Sequence, residues 1–320
     1  MIGKYDIEIY NNRIHYFLTV KRNITLLRGD SATGKSELLR LIRDYEENGR
    51  SSGITIRYDR ACTVLTNVGW EIRLQSLQNH IVFIDETAGF LKLQRFAELV
   101  RGSDNYFVTI SRDDLSQLPY SIEEIYGLRN VSETQKYRPF RKVYNEMFRL
   151  YNLPLKDCLS FTRVILEDSN SGYELFSRLY PERCISARGK SHVYETVSQN
   201  KEDSLLVIVD GAAFGPEIGK LMEYVKCSTS NCVIYAPESF EFLLLQSGLF
   251  EVPDGILNET YLYADSRKYI SWEEFFTSYL SDITRNTVFQ YGKAKLNPAY
   301  MTAGALKRIM ESLPPQIRQQ

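Results

Sequence analysis

The segment LLRGDSATGKSEL, residues 26–38, has the residue types and spacing of a phosphate-binding loop. Its two glycines, lysine and serine fit the pattern G-x-x-x-x-G-K-[S/T]. The glycines let backbone N–H groups turn toward phosphate oxygens, the lysine neutralises phosphate charge, and the serine hydroxyl is a ligand for Mg²⁺. We therefore predict that a nucleoside triphosphate with Mg²⁺ is bound by Gly29, Asp30, Ser31, Ala32, Thr33, Gly34, Lys35 and Ser36.

A pair of acidic residues supplies the second part of such a site. Asp85 and Glu86 follow the apolar run at 81–84 in HIVFIDETAGF, a pattern typical of a buried parallel strand. We predict that Asp85 and Ser36 hold the Mg²⁺ ion with its water shell. Glu86 is predicted to orient or deprotonate the attacking water, so that Glu86 and Lys35 are the catalytic residues. The alternative is a strand that simply ends in acidic turn residues.

A third apolar run, NYFVTISRDD at 105–114, places polar residues where its predicted strand ends. Thr109 or Ser111 could sense the γ-phosphate there, and Arg112 could reach the charge of the transition state. The alternative is that these residues only begin a loop.

The elements that must position these residues follow from local patterns. NITLL is a short apolar run ahead of the loop, ELLRLIRDYEE is helical after it, and FLKLQRFAELVRGSD predicts the helix of a βαβ unit. The interval from Lys35 to Asp85 is short and has no L-S-G-G-Q-like segment, so the chain resembles minimal ABC/AAA-like ATPase cores. We predict that residues 1–130 form a compact P-loop domain of the α/β class with a parallel sheet.

The nucleotide is predicted to be ATP, because two elements of GTPases do not fit. NKED at 200–203 matches N-K-x-D, but polar YETVSQ precedes it where a buried strand is required. The D-x-x-G element fails because Gly89 lies one position too far beyond Asp85. A small-molecule kinase remains an alternative, although the chain has no clear arginine-rich lid.

Composition bounds the class of protein. The 320 residues suggest two domains, and 43% hydrophobic with 25% charged residues is typical of a globular chain. A net charge of −1 excludes a whole-chain attraction to nucleic acid or membrane. The five cysteines form no C-x-x-C pair, the N-terminus has no signal-peptide pattern, and no apolar run approaches about 18 residues. We expect a cytoplasmic protein without a membrane segment.

A connector at 131–155 separates the two predicted domains. Basic and aromatic residues alternate through RNVSETQKYRPFRKVYNEMFRLYNLPL, which begins at Arg129. Such a pattern can grip phosphates and stack on bases, which would make DNA a partner. The alternative is an amphipathic linker helix after Pro139.

The second domain, predicted at 156–320, carries acids after successive apolar runs. Glu167 and Asp168 follow FTRVIL, Asp210 follows SLLVIV, and Glu238 and Glu241 lie after NCVIYAP. Because the carboxyl ends of parallel strands meet at one edge, these acids suggest a second divalent cation, Mg²⁺ or Mn²⁺, held by Glu167 and Asp210. The alternative is capping and loop residues of an ordinary α/β domain. The tail beyond 259 reads as a strand, ETYLYADS, and two helices without site chemistry.

This order of residues resembles a Toprim-like domain, the metal-binding fold of topoisomerases, primases and the overcoming-lysogenization-defect nucleases. Glu167 matches the glutamate after the first strand, Gly189-Lys190 matches the following G-K pair, and PESFE resembles a later segment. Asp210 matches the first acid of D-x-D-x-x-G, but Ala212 stands at the second. The resemblance implies an ATPase joined to a Toprim-like unit, as in anti-phage defence proteins, and the missing ligand predicts no robust nuclease activity.

The sequence thus predicts an ATPase whose nucleotide state controls a Toprim-like domain, in DNA processing or antiviral defence. The first alternative is an ATP-gated scaffold that binds a partner protein and cleaves nothing. The second is the small-molecule kinase. Expected partners are ATP and either a second copy of the chain or another protein, with DNA as a further candidate.

Overall fold

The computed structural model describes residues 1–29, 34–131, 143–155, 160–227 and 231–318. The chain divides into two compact units. The first unit contains Met1–Tyr151 and Tyr261–Ser271, and the second contains Asn152–Thr260 and Trp272–Gln320. Within the described ranges, none of the helices combines the length and apolar character needed to span a bilayer.

The first unit is built on one large sheet. In the described part of the chain this sheet has nine strands in the order β4-β1-β2-β9-β8-β3-β7-β6-β5. The strands are β1 (Tyr5–Tyr10), β2 (Ile14–Val20), β3 (Ile24–Leu27), β4 (Thr55–Arg57), β5 (Cys62–Leu65), β6 (Ile81–Ile84), β7 (Tyr106–Ile110), β8 (Ile125–Asn130) and β9 (Val143–Arg149). The helices are α1 (Lys35–Asn48), α2 (Trp70–Ser76) and α3 (Gln94–Val100).

Five neighbouring strands, β8-β3-β7-β6-β5, pair in parallel. The strands β3, β6 and β7 are buried along their whole length, as their continuous apolar runs predict. α3 lies between β6 and β7 in the chain, which confirms the predicted βαβ connection. The α/β class is therefore confirmed, and the parallel order aligns the carboxyl ends of β3, β7 and β6 along one edge.

The other half of the sheet includes a strand where a linker helix was the alternative interpretation of the sequence. β1 pairs antiparallel with β2 and β4, whereas β9 runs parallel to β2 and antiparallel to β8. The prediction of a helix was wrong for Val143–Arg149, because pairing with two strands satisfies its backbone groups. The basic and aromatic residues at 132–142 lie outside the described residues.

The segment Tyr261–Ser271 returns to the first unit, although the sequence assigned it to the second domain. The expected strand ETYLYADS is instead a 3₁₀ turn at Thr260–Leu262 followed by irregular chain. Long-range hydrogen bonds fix this chain in place: Ser266 N–H donates to the Met1 carbonyl at 3.0 Å, and Asn23 Nδ2 donates to the Tyr269 carbonyl at 2.9 Å. These contacts are distant in sequence, so no local pattern signals them.

The second unit is a smaller α/β arrangement around a parallel sheet. Over its described residues the sheet has four strands in the order β11-β10-β12-β13. The strands are β10 (Arg163–Leu166), β11 (Cys184–Ser186), β12 (Leu205–Ile208) and β13 (Cys232–Tyr235). The helices are α4 (Ser171–Leu179), α5 (Val193–Gln199), α6 (Gly215–Cys227), α7 (Phe240–Gln246), α8 (Asp254–Asn258), α9 (Trp272–Thr284) and α10 (Ala303–Ser312).

Candidate functional site

The phosphate-binding motif spans the turn from β3 to α1. The described residues of the motif include its two glycines, Gly29 and Gly34, on either side of the loop. Outside the described residues lie Asp30, Ser31, Ala32 and Thr33. Gly29 has φ +130° and Gly34 has φ +86°, conformations that residues with a Cβ rarely adopt. Lys35 Nζ donates a hydrogen bond to the Gly29 carbonyl at 2.9 Å. The ammonium group therefore lies at the Gly29 end of the motif, where we expect phosphate charge to be neutralised.

Tyr16 of β2 supports this loop, and the sequence did not identify it. Its hydroxyl donates to the Gly34 carbonyl at 2.7 Å, and the side chain is fully buried. A Cβ added to Gly34 would lie 2.7 Å from the same hydroxyl oxygen. Gly34 is thus required both by its backbone conformation and by the closeness of Tyr16.

The acidic pair lies at the end of β6, as predicted. The Asp85 carboxylate accepts from the Thr87 N–H at 3.3 Å, and its other oxygen lies 3.7 Å from an Arg43 guanidinium nitrogen. Arg43 belongs to α1, so Asp85 contacts the helix that follows the phosphate-binding loop. Glu86 Oε2 lies 3.3 Å from Arg112 Nε.

The three polar residues predicted at the end of β7 lie in two different places. Thr109 does not lie at the tip of the strand: it is buried, and its hydroxyl donates to the Thr25 carbonyl at 3.4 Å. Ser111 and Arg112 do lie beyond the strand, and the Ser111 hydroxyl accepts from the Asp113 N–H at 3.1 Å. The structure therefore leaves Ser111 and Arg112, and not Thr109, beside the acidic pair.

Arg28, directly before Gly29, is a second residue that the sequence did not identify. Its guanidinium contacts the Asp114 carboxylate in the loop after β7, and it lies 3.5 Å from the Tyr151 hydroxyl. Its backbone N–H donates to the Tyr126 carbonyl at 2.7 Å. Arg28, which directly precedes the phosphate-binding motif, thus contacts both the loop after β7 and Tyr151.

In the second unit, Glu167 and Asp210 come together at the ends of the neighbouring strands β10 and β12. The Asp210 N–H donates to Glu167 Oε2 at 3.0 Å, and Asp210 Oδ1 accepts from the Phe240 N–H at 2.9 Å. Both carboxylates line a cavity of about 30 Å³ with Asp168. This volume would hold an ion or a water molecule but no organic ligand.

Burial governs the protonation of these acids. It raises the pKa of Glu167 to about 7, and the negative charge of Glu273 adds to the rise. Burial, followed by the charges of Glu273 and Glu167, also raises the pKa of Asp210 well above its ordinary value. The pKa of Asp168 is raised by burial as well. Without a bound cation, this cluster therefore holds protons that exposed acids would lose.

The tail contributes charged and polar groups to this cluster, contrary to the expectation that it has no site chemistry. The Tyr291 hydroxyl donates to Glu241 Oε1 at 2.8 Å, and Lys293 Nζ lies 2.7 Å from Glu273 Oε1. The negative charges of Glu273 and Glu241 raise the pKa of Lys293 against the effect of burial. Only the folded chain brings these residues to the acidic cluster, so sequence spacing gave no signal of them.

Among the described residues, no group of three or more His, Cys, Asp or Glu side chains could hold a metal ion. Ala212, at the position of the missing acid, is buried, and its N–H donates to the Glu238 carbonyl at 3.0 Å. The cation expected at Glu167 and Asp210 stays a prediction. Comparison with protein-family models and with curated proteins gave no match to this chain.

Proposed function

We propose that the first unit binds ATP with Mg²⁺ and hydrolyses it. The observation that carries this proposal is the parallel order β3-β7-β6. It brings the phosphate loop, the Ser111–Arg112 loop and the Asp85–Glu86 pair to one edge of a sheet, where open α/β sheets bind their ligands. A chance glycine loop would not require the two acids to lie at the same edge.

The residues of the phosphate-binding motif and the two acids have distinct parts in the proposed reaction. Lys35 neutralises the phosphates from its position beside Gly29, and the N-terminus of α1 adds the partial charge of its free N–H groups. Ser36 and Asp85 would hold the Mg²⁺ ion, which supplies positive charge to the transferred phosphoryl group. Glu86 orients or deprotonates the attacking water.

The choice of ATP over GTP is supported by the place of the NKED segment. It forms a turn between α5 and β12, where the Asp203 N–H donates to the Asn200 carbonyl at 3.0 Å. The segment belongs to the second unit and follows a helix. A guanine-reading motif follows a buried strand, whereas this segment follows α5 and precedes β12, so it does not fit that role.

For the second unit we propose a Toprim-like domain that responds to the nucleotide state and does not cleave DNA. The parallel sheet and the acids Glu167 and Asp210 at adjacent strand ends support the resemblance. Both carboxylates already accept backbone N–H groups, and Ala212 provides no further ligand. These contacts favour the ATP-gated scaffold among the alternatives, with a partner protein or DNA as the bound molecule.

The proposal is tested by ATP binding and turnover of the full chain. Lys35→Ala removes the charge beside Gly29 and should weaken ATP affinity or turnover at least about tenfold, or about 1.4 kcal/mol. Lys307→Ala, on the exposed face of α10, is the matched control and should behave as wild type. Equal ATP affinity and turnover in wild type and Lys35→Ala would refute the proposal. ADP formation that depends on an added acceptor would instead support the kinase alternative.

A further inference from the structure

A cavity of about 460 Å³ lies beside Glu86 in the first unit. Its walls are the segment 86–92 after β6 and the segment 111–115 after β7. Small-molecule sites typically have volumes of about 300–1,000 Å³. This cavity therefore has the size of an organic ligand, in contrast to the ion-sized cavity between the acids of the second unit.

The lining of the cavity combines an apolar floor with a charged wall. Leu91 and Leu115 are buried at the floor. The charged wall consists of two ion pairs, in which Arg112 Nε lies 3.3 Å from Glu86 Oε2 and Lys92 Nζ lies 2.6 Å from Asp113 Oδ2. Apolar surface with a few convergent polar groups is the composition expected of a ligand site.

Both cations of the cavity are open to an entering ligand. The Arg112 side chain is 59% exposed against 38% for Glu86, whereas Lys92 and Asp113 are about equally exposed, at 66% and 64%. Ion pairs between exposed groups are weak, so a ligand can rearrange them easily. A guanidinium recognises carboxylate and phosphate groups through paired N–H donors, and an ammonium can donate to more than one acceptor.

We propose that this cavity binds a small organic anion. Its carboxylate or phosphate group contacts Arg112 and Lys92, and its apolar part lies on Leu91 and Leu115. A further consequence rests on the proposed ATPase function. The anion draws Arg112 away from Glu86, which leaves the Glu86 carboxylate to act on water, so the bound anion accelerates ATP hydrolysis.

Benzoate and phenyl phosphate are suitable probes, because they share an apolar ring and differ in the anionic group. Benzyl alcohol is the neutral control. Each compound is titrated into the full chain without ATP, and binding is measured by ligand-observed NMR. We expect either or both anions to bind at least about tenfold more tightly than benzyl alcohol, the effect of one charge-assisted hydrogen bond.

Variants then assign the site. Arg112→Gln and Lys92→Gln should each weaken anion binding about tenfold, and Lys92→Arg should retain it. Lys4→Gln, an exposed lysine of the same unit, is the matched control. Lys35→Ala should leave anion binding unchanged, because Lys35 does not line the cavity. Anion binding that is lost in Lys35→Ala, or unaffected by both Arg112→Gln and Lys92→Gln, would overturn the assignment.

The ATPase assay separates this inference from the proposed function. Benzoate or phenyl phosphate, whichever binds, should raise the hydrolysis rate of wild type but not of Arg112→Gln. Anion binding in a chain that never hydrolyses ATP would overturn the ATPase proposal and leave the cavity assignment standing. The cavity assignment would be overturned if the chain hydrolyses ATP but binds neither anion. It would also be overturned if a second copy of the chain covers the cavity and excludes both probes.

Discussion

Glu167→Gln should make the second unit more stable at alkaline pH. The glutamine keeps an acceptor for the Asp210 N–H, which lies 3.0 Å from Glu167 Oε2, but it carries no charge. In wild type, burial raises the pKa of Glu167 to about 7 from its ordinary 4.5. At a pH between about 4.5 and about 7, Glu167 is therefore protonated in the folded chain and ionised in the unfolded chain.

The sign and size of the effect follow from this difference. Because the native state binds the extra proton, the free energy of unfolding falls as pH rises from about 4.5 through about 7. The full rise in pKa corresponds to at most about 3 kcal/mol. Below pH 4.5 both states are protonated, so the variant should match wild type. At pH 8 the variant should be more stable by up to about 3 kcal/mol.

Urea unfolding with a chelator present measures this effect. Trp272 is a buried reporter in the second unit, and Trp70→Phe removes the other tryptophan of the chain. Glu223→Gln, at an exposed position of α6, is the matched control and should show no gain at pH 8. If Glu167→Gln gains no stability over wild type between pH 5 and pH 8, Glu167 is not held protonated by its surroundings.

Three further predictions concern hydrolysis, loop coupling and DNA. Glu86→Gln keeps the size of the side chain but loses the base, so ATP binding should persist while phosphate release falls by about a hundredfold; release at the wild-type rate would place water activation elsewhere. Arg28→Gln and Asp114→Asn should show a coupling of about 0.5–1 kcal/mol in urea unfolding, because the two side chains form one ion pair; additive single effects would contradict this. Plasmid DNA should stay intact with wild type, ATP and Mn²⁺, because Ala212 leaves too few ligands for two cations, and cleavage that disappears in Glu167→Ala would show that the second unit is a nuclease.

The parts of the fold that sequence could predict are those with local signals. NITLL, HIVFI and NYFVTI are continuous apolar runs, and each forms a strand that is buried on both faces. The acids Asp85 and Glu86 after HIVFI follow from the same pattern, since a side chain directly after a buried strand lies at the edge of the sheet. Glu167 and Asp210 were found in this way.

Residues that act through distant contacts could not be predicted. Tyr16 reaches Gly34 from another strand, and Lys293 reaches Glu273 from a different part of the tail. Neither pair has a periodic pattern that would mark it. Thr109 was misplaced for a different reason: β7 continues to Ile110, so the threonine hydroxyl turns into the sheet and bonds to Thr25.

A crystal structure of wild type with Mn²⁺ and a non-hydrolysable ATP analogue tests the central claim most directly. We predict a triphosphate in the turn between β3 and α1, with a phosphate oxygen within hydrogen-bond distance of Lys35 Nζ. The anomalous signal of one Mn²⁺ ion should lie between Ser36 and Asp85. A nucleotide bound elsewhere, or a triphosphate that leaves Lys35 on the Gly29 carbonyl without a phosphate contact, would contradict the account.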